Sequence, residues 1–139
     1  MVAQNGIYLI EMAARGGGGH IFTVLYEPMT GFSGSVRHVQ LLLQKRIDPL
    51  PDNLVQGGCY RFLSAPAGIL ERIEGADEAS RMPGVIDLGI AIRPGQSGGA
   101  VTHDNARHGH VCTIGSNRTE ALERAKAAAA RVYFIMRQS

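Results

Sequence analysis

No stretch of this sequence approaches the roughly 18 uncharged apolar residues that a bilayer-spanning helix needs, so no membrane span is expected. Lys and Arg are scattered rather than gathered in runs, and the formal net charge is only +2. The electrostatic footprint of a nucleic-acid or anionic-membrane binder is therefore missing, and neither partner is expected. Residues Met1 to Gly6 lack the basic-then-apolar layout of a secretory signal, which makes the cytoplasm the expected location. Cysteine is scarce. Cys59 and Cys112 are far apart, with no CxxC spacing, and read as buried thiols packed like small hydrophobes.

What is present suits a small folded unit. The chain has 139 residues, 45% of them hydrophobic, enough for one domain or two very small ones. It has 18 glycines, well above the usual share of about 7%. Most of them cluster at turns, which favours short strands joined by tight connections over disorder.

Along the chain, Ile7 to Met12 reads as a short strand with both faces buried and Glu11 at its C-terminal end. The β-branched and apolar segment His20 to Tyr26 fits either a strand or the start of a helix. Ser33 to Lys45 reads as a helix, with Val36, Val39, Leu43 and Ile47 on one stripe and Ser33 or Ser35 as cap. Two closely spaced prolines in 47–58 exclude helix and central strand, and a boundary is placed there. Cys59–Ser64 and Gly68–Ile73 read as a strand pair about Pro66, and Gly75–Arg81 as a helical turn or two before Pro83. Val85 to Arg93 alternates Ile86, Leu88, Ile90 and Ile92 with Asp87, Gly89 and Ala91, the clearest strand of all. A polar loop or loose hairpin (93–109) leads to a strand at His110–Ile114. Asn117 and Glu120 have capping-box spacing and open an alanine-rich helix to about Arg131, with Leu122, Ala125, Ala129 and Val132 facing inward. Strands and helices without a regular βαβ rhythm indicate an α+β fold with a mostly antiparallel sheet and packed helices.

Several patterns invite chemical readings. His108 and His110 would share a strand face, and His103 with Asp104 could add ligands, but nothing completes a tetrahedral set. These histidines read as surface residues. Gly95-Gln96-Ser97-Gly98-Gly99 resembles a serine-nucleophile surround only superficially, with no GxSxG elbow and no paired base. The stretch "LIEMAARGGGGHI" (9–21) carries more. Its four glycines lack the Lys-Ser/Thr of a P-loop, so taken alone they make an ordinary turn or a place where backbone approaches a phosphate. A carboxylate at a strand end, Glu11, can ligate Mg2+ through hard oxygen, and the neighbouring Arg15 can hold an anionic oxygen in bidentate fashion. The lone His20 after the glycines could contact phosphate or be a polar turn neighbour.

"YLIEMAARGGGGHI" resembles the active-site strand of ATP-grasp ligases, which ends in Glu-x-Asn-x-Arg before glycines. "GILERIEG" (68–75), Pro83-Gly84-Val85, Arg93-Pro94-Gly95, Gly109-His110-Val111 and Thr119-Glu120-Ala121 follow in the order found in the C-terminal part of the L-amino-acid-ligase, carbamoyl-phosphate-synthase-like branch. The resemblance covers nearly the whole chain. It implies the C-terminal piece of an ATP-grasp fold, with 1–50 as the end of the catalytic domain and 51–139 as a C-terminal α+β subdomain.

The resemblance further implies a ligase that uses ATP and Mg2+ to join a small carboxylate substrate to an amine acceptor through an acyl phosphate. Glu11 matches the family's Mg2+ ligand, and Arg15 the catalytic arginine that holds carboxylate and intermediate. Gly16, Gly17, Gly18 and Gly19, with His20, match the turn that lines the phosphate and substrate pocket. Phosphoryl transfer depends mainly on positioning and charge neutralisation, which suits that division of labour. Ala13 replaces the family's asparagine and weakens the metal site. The lysines that grip ATP and the adenine pocket would precede Met1, so the chain is expected to be inactive alone. The alternative is a freestanding non-catalytic α+β module that binds a small anion or a protein partner, as a homodimer through an exposed sheet edge in one form.

Overall fold

The computed structural model describes residues 2–10, 16, 18–47, 49 and 57–137. Its architecture is α+β, with two three-stranded antiparallel sheets and four α-helices. A small hairpin, β1 (Val2–Ala3) with β2 (Gly6–Ile7), begins the chain. A single π-helical turn, Ile21–Leu25, then runs into α1 (Tyr26–Thr30), and α2 covers Gly34–Leu42. The remaining elements are β3 (Gly57–Leu63), β4 (Gly68–Glu74), α3 (Ala76–Ser80), β5 (Val85–Ile90), β6 (Ser97–Gly98), β7 (Gly109–Gly115), α4 (Arg118–Ala129) and β8 (Tyr133–Arg137). No helix among the described residues is long and apolar enough to cross a membrane.

One sheet has the order β3-β7-β5, the other β6-β4-β8. The strands expected at 59–64 and 68–73 exist, but they do not pair with each other: β3 pairs with β7, and β4 with β6 and β8. Leu63–Gly68 is a sheet-to-sheet connection rather than a hairpin turn, and the Ala65 N–H donates to the ring of His108 at 3.0 Å instead of to a ladder. β8, a run of aromatic and branched residues, supplies the partner that β4 requires.

Helix α4 lies across β3 and β7. Asn117 caps it, its side-chain oxygen accepting from the Glu120 N–H at 3.0 Å. The Glu120 carboxylate accepts from the Ser116 N–H and hydroxyl, one residue earlier than a capping box would place it. Those bonds hold its carboxyl below the usual range. Arg124 joins Glu120 to the Ile114 carbonyl, tying helix to sheet. The inward face is centred on Ala121, Ala125 and Ala128; of the expected residues Ala125 and Val132 are buried and Ala129 packs against the core, while Leu122 is only half-buried and outside the cluster. Methyl groups let the helix axis come close to Val111 and Leu63, whereas leucines would hold it away. A second cluster, Ala65, Leu70 and Ile92, fills the space beside the β4 sheet, and Ile73, Ile90 and Phe134 touch both clusters.

The first part of the chain differs from expectation in its exposure. Ile7, Leu9 and Ile10 are 84%, 80% and 70% exposed, not buried on both faces. Helix α2 forms as read, with Ser33 as its cap, yet Val36, Val39 and Leu43 on its stripe are more than half exposed. α2 meets the π-helical turn, where Gly34 lies against Phe22, but these apolar side chains of its stripe stand exposed. The segment His20 to Tyr26, ambiguous between strand and helix, is helical.

The flush packing of α4 is directly testable. Ala125→Leu should destabilise the fold by about 1–3 kcal/mol through overpacking, while Ala127→Leu on the exposed side should change it little. Equal effects in urea denaturation would show that α4 does not sit flat on the sheet.

Candidate functional site

The β3-β7-β5 sheet has two differently used faces. Register places Tyr60 opposite Cys112 and Phe62 opposite His110, and across β7 it places Asp87 opposite Cys112 and Gly89 opposite His110. Successive strand residues point to opposite faces, so these residues share the face turned away from α4. Between Val85 and Asp87 the ladder contains a bulge, with Val85 opposite Thr113 but Asp87 opposite Cys112. The extra residue lets Val85 and Leu88 both join the α4 core while Asp87 turns to the other side. Without it, Val85 and Asp87 would point the same way.

Over this second face lies the segment that starts at the glycine turn. Leu25, 4% exposed, and Met29 sit above Gly58 on β3. The His20 carbonyl accepts from the N–H groups of both Val24 and Leu25, which opens the π-helical turn. Such turns are rare and frequently occur at functional sites. Between segment and sheet is a cleft of about 690 Å3, lined by Gly18, Gly19, Leu25, Met29, Tyr60 and Arg107 among others. This is within the range of small-molecule sites. A second recess of about 380 Å3 adjoins it, sharing Gly19, Tyr60 and Arg107 and adding His20 and His110.

The mouth is polar and the floor is not. The Arg107 guanidinium stacks on the Phe62 ring at 3.6 Å and donates to Asp104 at 2.6 Å. Tyr60 meets Phe62 edge-on at 4.8 Å. Burial pushes the Tyr60 phenol above its ordinary range, with the neighbouring Cys112 adding to the shift. Burial likewise raises the fully buried Cys112 thiol, to about 12, with Asp87 contributing. Both cysteines are free thiols, Cys112 buried and Cys59 half-buried.

Of the histidines read as surface residues, His103 is exposed but His108 and His110 are not. His108 is 7% exposed and its ring accepts from a backbone amide, a structural role. His110 Nε2 lies 2.8 Å from Asp87 Oδ2, and its ring stacks on that of His20 with centroids 4.1 Å apart. His103 is exposed, and Asp104 is engaged by Arg107.

Of the residues singled out from sequence, Gly18, Gly19 and His20 are at the cleft or its recess, and Gly16 packs beside Phe22. Glu11, Arg15 and Gly17 lie outside the described residues. Asp104 is the one carboxylate among the described residues lining the cleft, and its partner is Arg107. Those residues therefore do not form the hard-oxygen set that Mg2+ prefers. Sequence reasoning missed Tyr60, Phe62, Asp87 and Arg107. They lie on separate strands and a loop, and only strand register unites them.

The family described as L-amino acid ligase C-terminal domain 2 matches residues 61–137, more than half of the chain, and the chain belongs to that family. No curated protein matches it significantly. The fold is similar to that of phosphoribosylglycinamide synthetase from Anaerococcus prevotii, with a TM-score of 0.78 at 13% identity over 98% of this chain and 35% of that one. It is also similar to L-amino acid ligase from Bacillus licheniformis, with 0.72 at 19% identity over 94% and 33%. The fold is that of the C-terminal part of ATP-grasp ligases. The chain spans about a third of the length of these structures.

The closed face of β7 makes a prediction about thiol chemistry. In the folded protein at pH 8, iodoacetamide should alkylate Cys112 at least roughly tenfold more slowly than Cys59. Peptide mass spectrometry after timed quenching measures both, and comparable rates would mean that this face is open to solvent.

Proposed function

We propose that this chain is the C-terminal portion of an ATP-dependent ligase that joins a small carboxylate to an amine through an acyl phosphate. Membership of the L-amino acid ligase C-terminal domain 2 family carries this reading. Residues 1–50 would then complete the catalytic domain, and 51–139 would form the C-terminal subdomain. Glu11 would hold Mg2+, which when bound neutralises phosphate charge, and Arg15 would bind the carboxylate and the acyl phosphate. Gly18 and Gly19 leave backbone free of side chains at the cleft, His20 lines the adjoining recess, and Gly16 and Gly17 would belong to the same phosphate-lining turn. The cytoplasm, where ATP is abundant, is the compartment this reading implies.

Two features support it. The cleft has an apolar floor and a guanidinium at its mouth, suited to a small molecule with an anionic group. The exposed apolar residues at 7–10 and on α2 have the character of a surface that a larger enzyme covers.

Phosphate release from ATP in the presence of mixed amino acids tests the reading. The 139-residue chain alone should show no turnover above background. In a polypeptide that carries this chain with a complete ATP-binding region, release should depend on amino acid. There Arg15→Ala should lower kcat by about 100-fold or more, the scale expected when a charge-stabilising contact is lost. Undiminished turnover by that variant would remove Arg15 from the site.

A further inference from the structure

His20 and His110, which line the recess, converge on Asp87, and of the three the ligase reading uses only His20. His20 Nδ1 and His110 Nε2 lie 3.7 and 2.8 Å from the same atom, Asp87 Oδ2. One donor atom from each of the three residues lies within 4.8 Å of the others. Two ligand atoms held tetrahedrally on zinc at about 2.0–2.1 Å are about 3.3 Å apart. The two observed separations straddle that value, and the His20 ring, stacked on His110 with centroids 4.1 Å apart, would turn out of the stack to share one ion with it.

The fold builds this cluster rather than merely permitting it. The bulge in β5 aims Asp87 at this face. A side chain at position 89 would collide with the His110 ring, so Gly89 makes its seat. Tyr60 packs against both imidazoles, with centroids 5.7 Å from His20 and 5.4 Å from His110. Gly19, at φ 65°, leaves room for Tyr60, whose ring carbon lies 2.8 Å from where a Cβ would stand. His20, Asp87 and His110 are each partly or largely shielded, with side-chain exposures of 41%, 35% and 15%.

The geometry points to a single-ion site for a divalent transition metal of the zinc type, held by His20, Asp87 and His110 with its remaining position open to the recess. Two imidazole nitrogens and one carboxylate oxygen suit Zn2+, Co2+, Ni2+ or Cu2+, whereas Mg2+ and Ca2+ prefer oxygen alone. Three protein ligands leave a coordination position for water or for an anionic oxygen entering the recess. The site rests on these three side chains, shares His20 with the ligase reading, and is tested without ATP or a ligase assay.

The untagged 139-residue chain, stripped with chelator and titrated with Co2+, tests it. One ion per chain should bind and give the intense visible absorption of four- or five-coordinate cobalt. Zn2+ should displace it, and millimolar Mg2+ should not. His20→Gln and Asp87→Asn should each weaken binding by about tenfold or more, with folding checked by circular dichroism. His20 sits on a half-exposed turn, so its variant decides the matter even if Asp87→Asn disturbs the bulge. A spectrum of six-coordinate aqueous cobalt only, or binding unchanged in His20→Gln, overturns the proposal.

Discussion

Strand β7 is the constraint on which the rest of this molecule depends. It is the middle strand of its sheet, hydrogen-bonded on both edges, and both of its faces are covered. Val111 and Thr113 face α4, and the Thr113 hydroxyl donates to the Ala121 carbonyl at 2.7 Å, fixing the helix to the strand. His110 and Cys112 face the cleft. A strand covered on both sides cannot slip by one residue without exchanging these two sets. The register of β7 thus fixes the core and the site together.

The cleft gains its character from the contrast between those faces. Its floor is apolar because a helical segment anchored by Leu25 and Met29 closes over β3. Its polar groups arrive from two directions: Arg107 and Asp104 from the loop before β7, and His20 from the glycine turn. Each of these is oriented by a neighbour. Arg107 is flattened on Phe62, and His20 is stacked on His110. Such mutual support lets a site hold its shape when the charged groups stand close to solvent.

Much of the fold was legible in the sequence. The strands read at Val85–Arg93 and His110–Ile114 and the Asn117 cap follow from local rules of alternation and capping; each element formed, the first ending earlier, at Ile90, and the second one residue longer at each end. Pairing partners were not legible, because the proximity of two strands in sequence says nothing about a strand that arrives much later. The exposed residues of α2 and 7–10 were misread for a related reason: periodicity marks a face able to be buried, not what covers it. For the site, the glycine turn was recognisable as a run, and His20 through it. Asp87 was visible only as a polar member of an alternating strand. The bulge that sends it to the cleft arises from pairing, and no single-strand pattern records it.

The pairing of β4 with β8 sets how this chain must fold. Apart from the small first hairpin, the principal strand pairings (β3 with β7, β5 with β7, β4 with β8) join segments separated by whole elements. Closing such loops costs entropy before any ladder forms, so assembly belongs to the slower range of small domains, about milliseconds to seconds. During that interval β4 has only the two-residue β6 against it, and one of its edges stays unpaired until β8 is in place. The interval before β8 docks is thus when edge-to-edge association between chains competes with native folding.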